Sequence, residues 1–377
     1  MKIGIVSLPL HTNYGGILQA YALITILNRM GHEALFIQKL EEAPKISTSQ
    51  VIYTAIQRLM SHIIKGTKIQ FYNIRREQRT IADDYIIHSQ FCESFINHNI
   101  PLRVVKDYRD INEGEYDAFV VGSDQVWRPK YFGTDCITDA YLGFAENWGV
   151  YRVAYAASFG TEEWEYSESQ TAKCRELIQK FNQISVREIS GVKLLKDYLN
   201  VNSQLVLDPT LLLDKEDYCK LKKDCVINSE LLCYVLDSNK EVQDILNDVI
   251  RKTQLEPYFL NSKWSDLEAP IKERIQKPVE NWIAGFKESK MVMTDSFHAC
   301  AFSIIFNVPF WVVANKSRGL GRIRSLLGLF ELENRLIDKE SVERIDLMEE
   351  IDWNKVNILR KKYRVESLEF LNKLNAL

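Results

Sequence analysis

Four polar side chains close a short apolar run in Met291-Val-Met-Thr-Asp-Ser-Phe-His298, and a second apolar run begins directly after it. The first run reads as a buried strand and the second as a buried helix. Thr294, Asp295, Ser296 and His298 then stand where a strand hands over to a helix N-terminus. Open α/β sheets bind ligands at that place. A histidine there can move a proton or hold an anion near neutral pH. The chain has only six histidines, so this one carries weight. The plainer alternative is a helix-start histidine satisfied by backbone, with Asp295 as a helix cap.

Other groups in the chain have similar potential. Asn13-Tyr14-Gly15-Gly16 either cradles an anion at a helix N-terminus or forms a tight turn. It matches neither GxGxxG nor GxxxxGK[ST], which disfavours nicotinamide cofactors and nucleoside triphosphates. Ser123, Asp124 and Trp127 follow the apolar run ending at Gly122, and so polar a buried loop must satisfy its groups internally or by a ligand. Trp127 offers a flat face to a sugar ring, or else packs in the core. Arg187, beside Glu188, has the forked geometry that grips a carboxylate or phosphate. Its alternative is an ion pair with Glu188 or another acid. The loop from Asn315 to Arg322 carries Lys316, Arg318 and Arg322, a composition suited to phosphate or to an ordinary basic loop. No HExxH, GxSxG or paired metal-type carboxylates occur, so no metal is implied.

The elements that must position these residues read as follows. Residues 2–8 and 34–38 are strands flanking a helix that stops at Gly31, a βαβ opening with a parallel sheet. Residues 41–110 are polar and helical in pattern and read as a helical insertion. Strands resume at 118–122, 151–157, 183–186 and 204–208. A second set begins near 230, with strands at 231–236, 256–260, 291–294 and 309–313. Ser7, Ser123, Asp124, Ser158, Arg187, Glu188 and Asp208 all lie at strand ends. So many polar strand ends over two sheets indicate a cleft between two doubly wound domains. The expected division is 1–215, 216–350, and a terminal helix in 351–377 that packs back on the first domain.

Composition narrows the classes further. The chain has 377 residues, 46% apolar and 26% charged, with a formal net charge of −3. That excludes a global basic field for nucleic acid. Seven cysteines, an odd number without a CxxC pair, argue against a disulfide framework and point to a reducing, cytoplasmic setting. The N-terminus reads as a strand rather than a signal peptide, and no stretch approaches the ~20 apolar residues of a membrane span.

Taken together and in this order, several motifs resemble the polysaccharide pyruvyl transferase family. They are Asn13-Tyr-Gly-Gly-Ile-Leu-Gln-Ala-Tyr-Ala, Val121-Gly-Ser-Asp-Gln-Val-Trp127, Ser185-Val-Arg-Glu188, Leu207-Asp-Pro-Thr210 and Thr294-Asp-Ser-Phe-His298. The resemblance implies an α/β fold of two Rossmann-like domains facing across a cleft in a GT-B-like arrangement. It implies transfer of pyruvyl from phosphoenolpyruvate onto two sugar hydroxyls, forming a cyclic ketal and releasing phosphate, with no cofactor. His298, Arg187 and Asp124 are then the expected catalytic residues. Arg187, Ser296, His298, Lys316, Arg318 and Arg322 are expected on the donor side. Asn13, Tyr14, Gly15, Gly16, Ser123, Asp124 and Trp127 are expected on the acceptor side. The acceptor would be a sugar or a lipid-linked oligosaccharide, with peripheral contact at the inner face of the membrane. Many relatives have Thr-Asp-Arg-Leu-His where this chain has Ser296 and Phe297. Either the basic loop at 316–322 replaces that cation or the donor differs. The competing readings are a glycosyltransferase using a nucleotide sugar and a non-catalytic sugar-binding protein.

Overall fold

The short apolar runs read as strands become parallel strands, several with polar residues at the carboxyl end. The computed structural model describes residues 1–40, 56, 60, 74–221, 230–237, 239–264, 266, 269–315 and 319–376. The first sheet contains β1 (Lys2–Val6), β2 (Glu33–Lys39), β3 (Leu102–Val105), β4 (Ala118–Gly122), β5 (Tyr151–Ala157), β6 (Gln183–Val186) and β7 (Gln204–Leu205). Their order across the sheet is β3-β2-β1-β4-β5-β6-β7, and every pairing is parallel. The chain winds outward from β1 in one direction and returns to begin again at β4. The crevice between β1 and β4 is therefore the topological switch point.

The second sheet contains β8 (Leu231–Tyr234), β9 (Pro257–Phe259), β10 (Met291–Thr294), β11 (Phe310–Val313) and β12 (Leu336–Ile337), in the order β12-β11-β10-β8-β9. Its switch point lies between β8 and β10. Strands β4, β8, β10 and β11 are buried along their whole length, which explains their uninterrupted apolar sequences.

The helices that position the site are α1 (Tyr14–Arg29), α2 (Ile74–Asn99), α3 (Glu168–Ile178), α4 (Val279–Glu288), α5 (Phe297–Phe306), α6 (Leu320–Leu329) and α7 (Trp353–Asn372). One apolar cluster runs without interruption from α1 through Leu211 and Tyr218 to Trp282, Phe302 and Val292. The two α/β domains face one another, and apolar side chains join them where they meet. Tyr14 shows how: its ring lies 5.7 Å from Trp282, and its hydroxyl donates to the Lys277 carbonyl at 2.6 Å. Helix α7 closes back on the first domain. The Leu207 amide donates to Ser367 Oγ at 2.9 Å, Arg364 pairs with Asp214 at 3.1 Å, and Phe370 packs near Tyr155. No helix among the described residues is long and apolar enough to cross a membrane.

The segment read as a helical insertion needs one correction. Leu102–Val105 is not helical but a strand at the edge of the first sheet, paired with β2. Its Arg103 and Val104 are exposed, and the charge of Arg103 breaks the apolar run that marks the other strands. Most of 41–73 lies outside the described residues. Helix α2 spans both domains: Phe95 meets Tyr21 of α1, and the Gln276 amide donates to the His88 carbonyl at 3.0 Å.

Candidate active site

Asp124 occupies the switch point of the first sheet. It follows β4 in the left-handed region, at φ 62°, which costs a non-glycine residue energy and persists only when its surroundings enforce it. Here Ser7 Oγ donates to the Ser123 carbonyl at 2.8 Å, and Asn13 Nδ2 donates to Asp124 Oδ2 at 3.3 Å. Both come from the stretch joining β1 to α1, so the two halves of the winding are tied at their crevice.

Arg187 lies at the centre of the site, at the end of β6, and its side chain is fully buried. Its Nη1 donates to Asp208 Oδ2 at 2.7 Å and to Ser123 Oγ at 3.3 Å. Its Nη2 donates to Asp124 Oδ1 at 3.0 Å. The guanidinium lies over the Phe297 ring at 4.5 Å, a cation–π contact from the other domain. Burial pushes Arg187 down, but Asp208, Asp124 and Glu188 outweigh it and raise its pKa. Asp208 is held in turn by the Thr210 amide at 3.0 Å and the Thr210 hydroxyl at 2.7 Å. Burial would raise its carboxyl. The neighbouring His298, Arg187 and the Thr210 amide overcome that and hold it well below the usual carboxylate range. Asp124 is likewise kept low, since Arg187, His298 and Arg322 outweigh its burial.

His298 reaches this network from the first turn of α5. Its Nε2 is 3.5 Å from Arg187 Nη1 and 3.7 Å from Asp208 Oδ2. Its Nδ1 lies against Gly15, where any Cβ would collide with the ring. Gly15 is in ordinary helical geometry within α1, so the glycine is required for close approach rather than for a special dihedral. Arg322, in the first turn of α6, adds a second cation. Burial, then the like charge of Arg187, pushes it down to about 10, while Asp124 and Glu188 pull the other way. Glu188 Oε1 accepts from the Phe159 amide at 2.9 Å, and its Oε2 is 3.9 Å from Arg187 Nε. Burial raises the Glu188 carboxyl against the pull of Arg187 and Arg322. Asp124, Arg187, Glu188, Asp208, His298 and Arg322 are each no more than 9% exposed, so the structure holds the site closed.

Residues 13–317, most of the chain, match the sequence model of the polysaccharide pyruvyl transferase family. The chain belongs to that family. No curated protein sequence matches it. Three solved structures show low similarity over nearly the whole chain. The UDP-GlcNAc 2-epimerase of Methanocaldococcus jannaschii, in complex with UDP-GlcNAc and UDP, is 11% identical with a TM-score of 0.47, covering 96% of this chain and 99% of its own. A putative UDP-N-acetylglucosamine 2-epimerase of Listeria monocytogenes is 11% identical with a TM-score of 0.47, covering 94% and 89%. The spinosyn rhamnosyltransferase SpnG, complexed with spinosyn aglycone, is 10% identical with a TM-score of 0.45, covering all of both chains.

Within this pyruvyl transferase family member, the residues expected from sequence fall into three groups. Gly15, Gly16, Ser123, Asp124, Arg187, His298 and Arg322 converge on one centre, and the exposed Asn13 reaches it through Asp124. A Cβ on Gly16 would come within 3.6 Å of Asp124 Oδ2. Three others take positions of a different kind. Tyr14 ties the domains through its ring and hydroxyl. Trp127 is completely buried, stacked on Tyr141 at 5.2 Å, and its Nε1 donates to the Ala140 carbonyl at 3.0 Å. It presents no face to a sugar. Ser296 caps α5 by accepting from the Ala299 amide at 3.4 Å. Lys316 and Arg318 lie outside the described residues. Asp208 and Glu188 were not among the expected site residues. Both read as polar strand ends bordering a cleft, Glu188 also as a partner for Arg187, and sequence alone assigns neither a role of its own.

Proposed function

We propose that this family member forms a pyruvate ketal on a surface-polysaccharide precursor, using phosphoenolpyruvate. The observation that supports this reading best is His298, carried by one domain and held at Nε2 by Asp208 and Arg187 of the other. Ketal formation needs a proton delivered to C3 of the enol, cations for the donor's phosphate and carboxylate, and exclusion of water. In this reading His298 gives its proton to C3, and the positive charge that develops at C2 is shared with the attached oxygen. One sugar hydroxyl, oriented by Asp124, adds at C2 and passes its proton to the His298 imidazole, which has just given its own to C3. The second hydroxyl closes the ring on C2 as the bond to phosphate breaks, and its proton leaves with the phosphate.

Arg322, in the first turn of α6, is the cation assigned to the donor's phosphate. Arg187 acts through its neighbours: both arms of its fork are taken by Asp124 and Asp208, so it fixes those carboxylates and His298. Asn13, Ser123 and Asp124 face the acceptor sugar, free or lipid-linked. In the lipid-linked case the enzyme works at the cytoplasmic face of the membrane. Because the centre is buried, substrate entry requires the domains to part.

The test is phosphate release from phosphoenolpyruvate with galactosides and mannosides, free and lipid-linked, followed together with the product's mass gain. His298→Ala should lower turnover by ~100-fold or more. Absence of phosphate release with every acceptor tried, alongside binding of a nucleotide sugar, would overturn the donor assignment.

A further inference from the structure

We propose that an aromatic pocket on the first domain, outside the buried centre, is a second saccharide-binding subsite that holds acceptor sugars remote from the reacting one. This rests on the reading of the chain as acting on a saccharide acceptor, and it makes that acceptor an oligosaccharide.

The pocket has a volume of about 340 Å³ and is lined by Trp164, Tyr166, Glu168, Thr171, Arg175 and Tyr198. That size suits a small molecule rather than a protein surface. Three rings stack in it. Trp164 lies 4.4 Å from Tyr166, and Tyr198 lies 4.6 Å from Trp164 with the two planes 1° apart. Tyr166 is buried, while Tyr198 is 41% exposed, so the stack grows outward from the core and ends in an open ring face.

The open ring is held by directed bonds. Tyr198 sits in a π-helical turn, Leu195–Leu199, which ends at Asn200 in the left-handed region at φ 57°. Such turns are rare and are found frequently at functional sites. Arg175 Nε and Nη2 both donate to the Tyr198 carbonyl, at 3.0 and 2.6 Å. Trp164 Nε1 donates to Thr171 Oγ1 at 2.8 Å, and that hydroxyl donates to the Ser167 carbonyl at 2.8 Å. A large aromatic that is both exposed and rigid offers contact area at low entropic cost. Its flat apolar face suits the C–H face of a sugar ring, and the Glu168 carboxylate at the rim can accept from sugar hydroxyls.

The pocket is also joined to the catalytic centre. Phe159 follows Ser158 at the end of β5; its amide donates to Glu188, and its ring lies 5.6 Å from Trp164. Ser158 and Trp164 are six residues apart, so at most about 20 Å separates them. In this proposal, a single oligosaccharide reaches both places once the domains part.

The experiment uses the full chain and two kinds of probe: methyl galactoside and methyl mannoside, and linear galactose- and mannose-containing tetrasaccharides, titrated calorimetrically without donor. At least one tetrasaccharide should bind more tightly than its methyl glycoside, and Tyr198→Ala should reduce its affinity by about fivefold with the thermal midpoint retained. Tyr198→Phe, which keeps the ring, should restore it. Unchanged tetrasaccharide affinity in Tyr198→Ala, or no tetrasaccharide that binds more tightly than its glycoside, overturns the proposal. Tyr198-dependent binding without any phosphate release from phosphoenolpyruvate would leave the subsite standing and count against the ketal-forming reaction alone.

Discussion

The two sheets carry the same kind of crevice and fill it differently. At the first switch point, between β1 and β4, Asp124 pairs with a buried cation that reaches across to the second domain. At the second, between β8 and β10, Asp295 turns back on its own sheet. Its Oδ1 accepts from the Leu236 amide at 2.7 Å, and its Oδ2 accepts from the Asp237 amide at 3.2 Å and from Asn315 Nδ2 at 3.1 Å. Thr294 Oγ1 donates to the Tyr234 carbonyl beside it. A carboxylate of the chain itself therefore occupies the backbone amides that an anionic ligand would otherwise use. Two aspartates at equivalent strand ends differ in their partners: a buried guanidinium in one case, backbone amides and an asparagine side chain in the other. In the proposed reaction the first arrangement serves the chemistry and the second secures a strand end.

That contrast can be broken most forcefully at Arg187. Arg187→Leu strands Asp124 and Asp208 in the interior without their cation, and should cost about 3–5 kcal/mol of stability in urea titration, together with activity. A loss below ~1 kcal/mol would mean that the network is not the keystone of the first domain. Gly15→Ala comes next. The added methyl collides with His298, so turnover should fall roughly 10- to 100-fold while the fold, with a better helix former in α1, is retained. Wild-type turnover would show that the contact seen here is not the working geometry. Asp295→Asn should cost only about 1–2 kcal/mol, because one amide acceptor remains, and the activity of folded molecules should persist. If activity is lost at full stability, the second switch point is a working part of the site.

The smallest effect concerns pH. The Glu188 carboxyl is raised in the folded chain, so its ionisation weighs against folding above about pH 4.3 and not below it. Glu188→Gln should therefore raise the thermal midpoint at pH 7 and leave it unchanged at pH 4. Asp208 has the opposite sign. Its depressed folded pKa contributes stability that is present above about pH 3.9 and is lost as pH falls through the acid range below it.

Much of this was readable from residue order alone. Continuous apolar runs located β1, β4, β8, β10 and β11, because strands buried on both faces leave no polar gap. Edge strand β3 escaped, since the charge of Arg103 breaks its apolar run, and β12 is only two residues long. The strand-end rule brought Asp124, Arg187 and His298 forward. It could not say which acids Arg187 would meet, since Asp124 and Asp208 lie 63 and 21 positions away and are joined only by the winding of the sheet. Tyr14 and Trp127 show the converse. Both are aromatic residues in site motifs, and nothing local distinguishes a ring that lines a pocket from one that fills a core. Their burial is decided by α4 of the second domain for Tyr14 and by the segment around Tyr141 for Trp127.

Helix α7 makes the polypeptide cross between the domains twice, once after Tyr218 and once more before Trp353. Two crossings constrain motion as two pins constrain a door. In the proposed reaction the domains part while held at these two points, and closing brings the His298 imidazole back against the bare backbone at Gly15. Registration of the two half-sites is in this sense a property of how the chain is threaded, well away from the residues that react.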